Sequence, residues 1–439
     1  MSARGFTIAD RLLELAGKAH ADASVSVREL RSGHVRFASS EITTAGEVAN
    51  TETTLSVAFG ARHASSTTNQ TDAASLASLF ARTADLAKIA PEDPEWLPPL
   101  GPQRYPRSPR AWDEATSALA PAGRAGIARA AIDASGALVA AGFVESHALE
   151  ATLATSAGLR ADHRATWART TTTVRTPDGK GSGWAGAEST SAAEIDGGAL
   201  ARVAADRAER SRGATRLDPG RYTVVLEPAA VADLLSFLID ALDARAADQG
   251  RSFFSGKRVG ETLFDPRVTL RSDPLSPDTP GCPWDGDGLS LRPRAWIDAG
   301  KLASLYSTRF WARRSGAAPT GTYATWHLTT TGGAADASAL VSSVTRGLLV
   351  TRFWYTRWLD RKQLLVTGLT RDGVFLVENG RVGRPVQNFR FNDSPAKLLS
   401  RLVGATARTW RAPVGDGGVV RVPVLCCDDF EMSSVSDAV

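Results

Sequence analysis

The residue types that most often carry out chemistry in proteins are sparse and widely spaced in this 439-residue chain. No two of its histidines have the spacing of three to five residues that is typical of a metal-binding pair. The sequence also lacks the Gly-x-Ser-x-Gly pattern of hydrolase nucleophiles. We therefore predict neither a histidine metal site nor a serine hydrolase. The six histidines are His20, His34, His63, His147, His163 and His327.

Carboxylates and cysteines offer two further candidate sites. Asp240 and Asp243 lie on one face of a predicted helix, where paired carboxylates can transfer protons, although a solvated polar face explains them as well. Ser236, on the same helix, has no neighbouring base. Cys426 and Cys427 are adjacent on a predicted strand and would point to opposite faces, so they cannot easily chelate one ion. We expect one of these cysteines to be buried and the other partly exposed.

The best candidate for a binding surface is the run of arginines and aromatic residues at 352–358. On a strand, Arg352, Trp354 and Trp358 would share one side, while Tyr355 and Arg357 would share the other. Arginine and large aromatic residues are enriched at interfaces. The run predicts either a barrel core with arginines whose stems are buried or a groove that an extended peptide joins as an added strand.

The helix near these candidates belongs to a stretch at residues 221–261. A β-like run precedes Pro228, which is suited to the first turn of a helix, and Gly250 is suited to its end. We predict a regular, amphipathic helix between them that packs against a core. Its apolar stripe consists of Val231, Leu234, Leu235, Leu238, Ile239 and Leu242.

The N-terminal half alternates helical and strand patterns. We predict a helix, four strands and a second helix at 7–20, 23–30, 34–44, 51–59, 62–69 and 71–90, with a turn at Gly33. A proline-rich connection follows at 91–110, as a linker or extended arm. A helix at 121–134, strands between 142 and 191 and a helix at 198–212 come next. The turn at residues 217–220 is the predicted boundary between domains 1–216 and 217–439.

The C-terminal half is predicted to be rich in strands. Residues 347–380 contain three strand patterns, at 348–358, 363–370 and 374–378. Asp372-Gly373 and Asn379-Gly380 are both typical of hairpin turns. Further strands are predicted at 385–391 and 419–430, with a short helix at 396–403.

The strand, the helix and the pattern Phe254-Ser255-Gly256 followed by Gly260-Glu261 resemble the TldD/PmbA peptidase family, as does the segment 345–392. In the catalytic TldD branch of that family, the helix carries a His-Glu-x-x-x-His metal motif. Its third ligand, a cysteine, would fall near residues 410–412, where this chain has none. The chain therefore resembles the PmbA (TldE) branch, whose members lack the metal. The degenerate motif positions here are Ser236, Phe237, Asp240 and Ala241.

The resemblance implies an α+β fold. An N-terminal α/β-sandwich-like domain would be followed by a β-rich, barrel-like C-terminal domain that carries one long amphipathic helix. It also implies a dimer, with a TldD-like catalytic subunit or with a second copy, that degrades or trims unfolded peptides. This chain would have no catalytic residue and no cofactor, and zinc is expected only in the TldD-like partner. The candidate peptide-binding residues are Asp240, Arg352, Trp354, Tyr355 and Arg357.

Two other functions stay open at this stage. The chain could be a stand-alone enzyme that uses the same cavity without a metal, or a dimer that binds peptides or a regulatory partner without catalysis. Its net charge of +4 is spread along the chain, which argues against nucleic-acid binding. Three cysteines, the lack of an apolar signal segment and the lack of a membrane-spanning run predict a cytoplasmic protein.

Overall fold

The computed structural model describes residues 3–108, 110–413 and 419–436, so that Pro109 in the predicted connection lies outside the described residues. No helix within these ranges is long and apolar enough to cross a membrane. The α-helices are α1 (Ala3–Lys18), α2 (Ala73–Ile89), α3 (Glu114–Ser117), α4 (Pro121–Ala134), α5 (Gly197–Arg210), α6 (Pro228–Ala241), α7 (Ala244–Asp248), α8 (Arg309–Ser315), α9 (Ala337–Ser342) and α10 (Pro395–Ser400).

The strands belong to three sheets. They are β1 (Asp22–Ala38), β2 (Glu41–Phe59), β3 (Arg62–Thr68), β4 (Val139–Thr155), β5 (Arg160–Arg175), β6 (Ser182–Ser189), β7 (Gly220–Leu226), β8 (Val268–Ser272), β9 (Arg294–Asp298), β10 (Lys301–Leu302), β11 (Thr325–Thr330), β12 (Arg346–Asp360), β13 (Leu365–Glu378), β14 (Arg381–Pro385), β15 (Phe389–Asp393), β16 (Leu402–Ala405), β17 (Trp410–Pro413), β18 (Val419–Val422) and β19 (Leu425–Val435).

The N-terminal sheet has one apolar face and one polar face. Its strand order is β3-β2-β1-β4-β5-β6, and α1, α2, α4 and α5 pack against one side of it. Along β1, Val25 and Val27 are buried on the helix side, whereas Ser26 and Arg28 face the other way. The helices therefore cover the apolar face, and the polar face is left to meet the C-terminal half of the chain.

The predicted turn at Gly33 is wrong. Strand β1 continues through this residue to Ala38, and the chain reverses at Ser39 and Ser40, which have φ values of 51° and 61°. The predicted strand 23–30 and the first part of the predicted strand 34–44 thus belong to one long strand, whereas residues 41–44 belong to β2. The glycine interrupts the pattern for a reason other than a turn.

Gly33 leaves room for a buried arginine. A Cβ atom at this position would lie 2.2 Å from the guanidinium carbon of Arg124, which is 2% exposed. The guanidinium donates hydrogen bonds to the Leu119 carbonyl oxygen (2.6 Å), the Ser146 hydroxyl (3.0 Å) and the Glu47 carboxylate. Because these bonds fix its position, the arginine cannot move aside without losing them.

The C-terminal half contains a closed, barrel-like sheet. One sheet has the order β10-β9-β8-β11-β18-β17, and the other the order β12-β7-β19-β15-β13-β14, with β16 attached to β19. Since β12 also pairs with β13, five strands of the second sheet form a ring. Helix α6 contributes Leu234 and Leu238 to the main core, which also includes Trp296 and Phe353. The predicted α+β fold class is confirmed.

The helix predicted between Pro228 and Gly250 is shorter than expected. Helix α6 ends at Ala241, and Asp243 caps the separate helix α7 by accepting from backbone N–H groups in its first turn. Between them, the Leu242 carbonyl oxygen accepts a 2.7 Å hydrogen bond from the backbone N–H of Tyr306. Gly250, with a φ of 70°, follows α7 rather than α6. An aspartate that caps well explains the break in an otherwise continuous helical pattern.

Of the two predicted hairpin turns in the C-terminal half, one is wrong. Strand β13 runs straight through Asp372 and Gly373, whose φ values of 56° and 133° mark an irregularity within the strand. The Thr351 hydroxyl on β12 lies within 3.3 Å of the carbonyl oxygens of both residues. The turn at Asn379-Gly380 is present and joins β13 to β14. An Asp-Gly pair can therefore lie within a continuous strand without reversing the chain.

Residues 91–108, which we call the connecting arm, run in extended form between the two halves of the chain. The Thr155 hydroxyl on β4 donates to the Leu100 carbonyl oxygen (2.8 Å). The Tyr105 hydroxyl donates to the carbonyl oxygen of Gly288 in the C-terminal half (2.5 Å). The arm therefore holds both halves rather than acting as a free linker.

The close contact between Gly33 and Arg124 can be tested with a double-mutant cycle. We expect G33A to lower the free energy of unfolding by about 1–3 kcal/mol, because the added methyl group overpacks the site. In the R124A background the same substitution should have almost no effect. Urea unfolding of the four proteins measures this coupling.

The control for this cycle is G17A on α1, where a Cβ atom would meet no atom within 4 Å. That change should be neutral or slightly stabilising. An equal loss of stability from G33A in both backgrounds would show that Arg124 does not set the requirement for glycine.

Candidate functional site

The degenerate motif positions on α6 do not converge. The Ser236 hydroxyl donates a 2.8 Å hydrogen bond to the carbonyl oxygen of Asp233, one turn earlier in the same helix. The Phe237 ring packs edge-on against Trp358, with 5.1 Å between the ring centroids. Ala241 is buried in the core. These side chains thus form a hydrogen bond within the helix, an aromatic contact with β12 and a contact with the core, and they do not point toward a common site.

Asp240 lies on the exposed side of the same helix. Its carboxylate accepts a 2.8 Å hydrogen bond from Arg361, and both side chains are more than half exposed. The Arg361 guanidinium also lies over the Trp358 ring, at 4.6 Å. Exposed ion pairs of this kind stabilise a fold by about 1 kcal/mol at most. The predicted peptide-binding residue Asp240 thus forms an ion pair with Arg361, which follows the last residue of β12.

These positions do not fit a zinc ion. Zinc in proteins is bound by sulfur, imidazole nitrogen or carboxylate oxygen. At the motif positions the helix offers a hydroxyl, a phenyl ring, a methyl group and one carboxylate, that of Asp240, which is already paired with Arg361. The region predicted for a third ligand contributes Ala412, which is buried in the same core as Leu234 and Leu238. Within the described residues, no group of three or more His, Cys, Asp or Glu could hold a metal ion.

Cys426 and Cys427 are both fully buried, so the prediction that one is partly exposed is wrong. They point to opposite faces of β19, into two different cores, because both faces of this strand are covered. Burial raises the pKa of the Cys426 thiol to about 11 and that of Cys427 well above its usual value. Both thiols are therefore protonated and unreactive at neutral pH.

The predicted run on β12 forms part of a series of arginines stacked on aromatic rings. The Arg352 guanidinium lies 4.5 Å from the ring centroid of Trp184 on β6. On the neighbouring strand, Arg371 lies 4.1 Å from the ring of Trp354. These distances are those of cation–π contacts, which hold both partners in place.

The series continues past an irregularity in β12. Arg357 lies 3.7 Å from the ring centroid of Tyr355, and Tyr355 is itself 5.4 Å from Trp354. Tyr355 has a φ of 57°, and the register with β13 shifts between Trp354 and Arg357. We call this series the arginine–aromatic ladder: Trp184, Arg352, Arg371, Trp354, Tyr355 and Arg357.

The strict alternation predicted for residues 352–358 is therefore wrong. Phe353 is in the core, at 4.4 Å from Phe391, whereas Trp354 and the next residue, Tyr355, are both exposed, at 40% and 61%. The bulge in the strand turns Tyr355 outward, to the same side as Trp354. Part of this run therefore lies in the barrel core and part is exposed, while the predicted peptide-binding groove stays a prediction.

The buried end of the ladder rests on two carboxylates that sequence reasoning did not single out. Asp372 lies 3.5 Å from Arg352 and accepts a 2.5 Å hydrogen bond from the Ser182 hydroxyl. Asp233 on α6 accepts a 3.2 Å hydrogen bond from the backbone N–H of Phe353. Burial raises the pKa of Asp233 to about 7, against the opposing effects of Arg352 and the Phe353 N–H. Asp233 therefore changes its charge near neutral pH.

Beside the ladder, one edge of β12 lacks a neighbouring strand among the described residues. Strand β13 pairs with one edge along most of the length of β12, but β7 pairs with the other edge only from Gly347 to Val350. Beyond Val350, no described strand pairs with that edge, although helix α6 packs against β12 and its Asp233 accepts from the Phe353 N–H. A strand edge without a neighbouring strand, with exposed aromatic residues beside it, is an arrangement that can bind an extended peptide by strand addition.

The comparisons with known proteins agree with the fold. Residues 219–434 match the family model described as the PmbA/TldA metallopeptidase C-terminal domain. A comparison with curated proteins gave no match.

Three solved structures have the same fold over almost their whole length. TldE from Thermococcus kodakarensis superposes with a TM-score of 0.88 at 16% identity, covering 97% of this chain and 99% of that one. A Thermotoga maritima protein, described as a candidate modulator of a DNA gyrase, gives 0.84 at 16% identity, with the same coverage. A Bacteroides thetaiotaomicron protein with a similar description gives 0.84 at 21%, covering 99% and 100%. At these identities, the likeness shows the fold alone.

The raised pKa of Asp233 predicts a pH-dependent loss of stability. The ordinary pKa of this carboxyl is 3.8, so between about pH 4 and 7 the folded chain keeps a proton that the unfolded chain has lost. Rising pH therefore favours unfolding in this window. We expect D233N to remove about 1–3 kcal/mol of the difference in unfolding free energy between pH 5 and pH 8.

Urea unfolding of wild type and D233N across this range measures the effect, with D240N as the control because Asp240 is exposed on the same helix. Parallel pH curves for wild type and D233N would show that Asp233 ionises normally.

Proposed function

Since residues 219–434 match the PmbA/TldA metallopeptidase C-terminal domain and the fold is that of TldE, we propose that this chain is the non-catalytic, metal-free subunit of a heterodimeric metallopeptidase that degrades or trims unfolded peptides. A TldD-like partner would supply the zinc and the catalytic residues. The present chain would complete the cavity and hold the substrate. A cytoplasmic location fits this role.

The observation that carries this proposal is the set of side chains at the motif positions. By the sequence resemblance, α6 corresponds to the metal-binding helix of the TldD branch, but here Ser236, Phe237 and Ala241 bond, stack and pack within this chain. A zinc-dependent reaction would thus need ligands from another subunit. This supports a partner subunit over a second complete enzyme.

The role in substrate binding is proposed from the part of β12 beyond Phe353, which lacks a neighbouring described strand on one edge, and from the arginine–aromatic ladder beside it. An extended peptide can bond its backbone to the strand edge whatever its sequence, which suits a complex that acts on unfolded chains. Trp354 and Tyr355 would pack against peptide side chains, and Arg357 would pair with acidic groups or carbonyl oxygens.

A metal-independent enzyme is the second candidate, and one observation favours it. Asp233 has a pKa near 7 and lies beside Arg352, as expected for a group that transfers protons at neutral pH. Its carboxylate is partly buried and bonded to the backbone of β12, which fits a structural role equally well.

Mixing subunits tests the proposal directly. We expect the pure chain to contain no stoichiometric zinc and to leave an unfolded peptide uncut. Peptide hydrolysis that is sensitive to a chelator should appear when a TldD-like subunit from the same source is added. Metal analysis, hydrolysis assays and light scattering of the mixture measure these outcomes.

Chelator-sensitive hydrolysis by the pure chain would contradict the proposal. Hydrolysis by the pure chain that a chelator leaves unchanged, and that D233N abolishes, would favour the metal-independent enzyme instead.

The ladder can be tested in the mixed complex. We expect W354A and Y355A each to raise the KM for an unfolded peptide by about 5- to 30-fold, which corresponds to about 1–2 kcal/mol of lost binding free energy, with a small effect on kcat. The control is L359A, since Leu359 is exposed on the same strand but lies outside the ladder. Unchanged KM values for W354A and Y355A would remove the ladder from the substrate path.

A further inference from the structure

A cavity of about 540 Å³ lies between the polar face of the N-terminal sheet and the C-terminal half of the chain. It is separate from α6 and from the arginine–aromatic ladder. Its volume falls within the range of roughly 300–1,000 Å³ that is usual for sites of small ligands. The function proposed above does not use it.

The sheet side of the cavity is built from rows of side chains that cross β1, β4 and β5. Arg28, Ala151 and His163 form one such row, because their residues pair directly across the three strands. Trp167, further along β5, also lines the cavity. Its ring stacks on His147 at 4.6 Å, which fixes its orientation. This wall therefore offers both apolar surface and polar groups.

The opposite side of the cavity comes from the C-terminal half. Trp284 closes it with an indole ring that packs against Tyr105 of the connecting arm at 5.1 Å and against His163 at 5.8 Å. Thr325 and Arg411 complete this side. Two tryptophans thus line the cavity from its two sides, and one of them is held by residues of the sheet and the arm.

The charged side chains of the cavity include one arginine without an ion pair to any described residue, Arg28, and a second, Arg411, that shares its acidic partner with Arg169. The Glu188 carboxylate is bonded to Arg169 at 2.6 and 2.9 Å and lies 3.5 Å from Arg411. Asp285, the other acidic residue of the lining, accepts hydrogen bonds from the backbone of its own loop. Arg28 is exposed and forms no ion pair with any described residue. The lining contains three arginines, Arg28, Arg169 and Arg411, and two carboxylates, Glu188 and Asp285, so its net positive charge of one favours a ligand with a single negative charge.

Buried donors in the lining also lack partners. The Nε atom of Arg411 and the hydroxyl oxygen of Thr325 are buried and have no hydrogen-bond partner among the described residues. Thr325 is 2% exposed. Burial lowers the pKa of His163 to about 4, so its imidazole is neutral at pH 7 and can donate or accept one hydrogen bond. Unmet hydrogen-bonding groups beside a cavity are costly in an empty protein and favour a polar ligand.

We propose that this cavity binds a carboxylate that carries an apolar or aromatic side group, with the carboxylate at Arg28 and Arg411 and the apolar group between Trp167 and Trp284. The ligand is a monoanion, since a phosphate would bring a second charge toward Asp285. Two sources share this chemistry, a free N-acylated amino acid and the carboxyl end of a peptide. The site is independent of the proposed subunit function, because it needs neither a partner nor a metal.

Calorimetric titration of the pure chain tests the site without any hydrolysis assay. N-acetyl-phenylalanine should bind saturably, and its carboxamide, which lacks only the charge, should bind at least about tenfold more weakly. R28Q and R411Q should each weaken the acid by about tenfold and leave the carboxamide unchanged. R31Q is the matched control, because Arg31 is exposed on the opposite face of the same strand.

The thermal midpoint of each variant checks folding, and R28Q should match wild type since Arg28 is exposed. A hexapeptide that ends in free Phe assigns the source. Tighter binding than that of N-acetyl-phenylalanine identifies a peptide end, and equal or weaker binding identifies a small acid. Equal binding of acid and carboxamide, equal loss in R28Q and R31Q, or no saturable binding of any of these compounds would overturn the proposal.

Discussion

The backbone hydrogen bonds between β12 and β13 close five strands of the C-terminal sheet into a ring, and this closure decides which side chains are available for binding. Inside the ring, Phe353 packs against Phe391 and Phe430. A closed sheet must curve, and β12 does so through three register shifts along its pairing with β13. One of these shifts turns Tyr355 outward beside Trp354. The exposed aromatic surface is thus a product of barrel closure.

The two halves of the chain meet mainly through polar contacts, and strand β6 supplies many of them. Ser182 bonds to Asp372, Trp184 stacks on Arg352, and Glu188 lies near Arg411. Interfaces between domains are generally more polar than domain cores. A polar junction leaves room for a cavity, because charged and aromatic side chains of this length do not fill space as closely as aliphatic ones do.

Much of this architecture could be predicted from local pattern, because helices and hairpins at chain positions such as Pro121 and Asn379-Gly380 carry their own signals. The two turns that were predicted wrongly involve a glycine or aspartate whose role is set by a residue that is distant in the sequence. Gly33 makes room for Arg124, and Gly373 packs near Thr351 on the neighbouring strand. Local sequence contains neither partner, so a turn was the natural interpretation of both.

The residues of the candidate site also divide into those with a local sequence signal and those that only the fold brings together. The run around Arg352 was found because arginines and aromatic residues are adjacent in sequence. Trp184, Arg371 and Asp233 were missed, since they come from other strands and from the helix, and only the fold brings them together. The only available signal was a single aspartate, Asp233, in the first turns of a strongly apolar helix.

The connecting arm has a consequence for the order of events during synthesis. Tyr105 bonds to Gly288, 183 residues later in the chain, so the arm has no place to dock until that loop has been made. The N-terminal sheet is complete in sequence once β6 ends at Ser189. A nascent chain therefore presents this sheet, with its polar face bare, while about a hundred further residues are translated. Domains generally fold as units in the order of their synthesis. A polar sheet face can be exposed to water without aggregating. This suits an N-terminal half that remains uncovered until the C-terminal half has been synthesised.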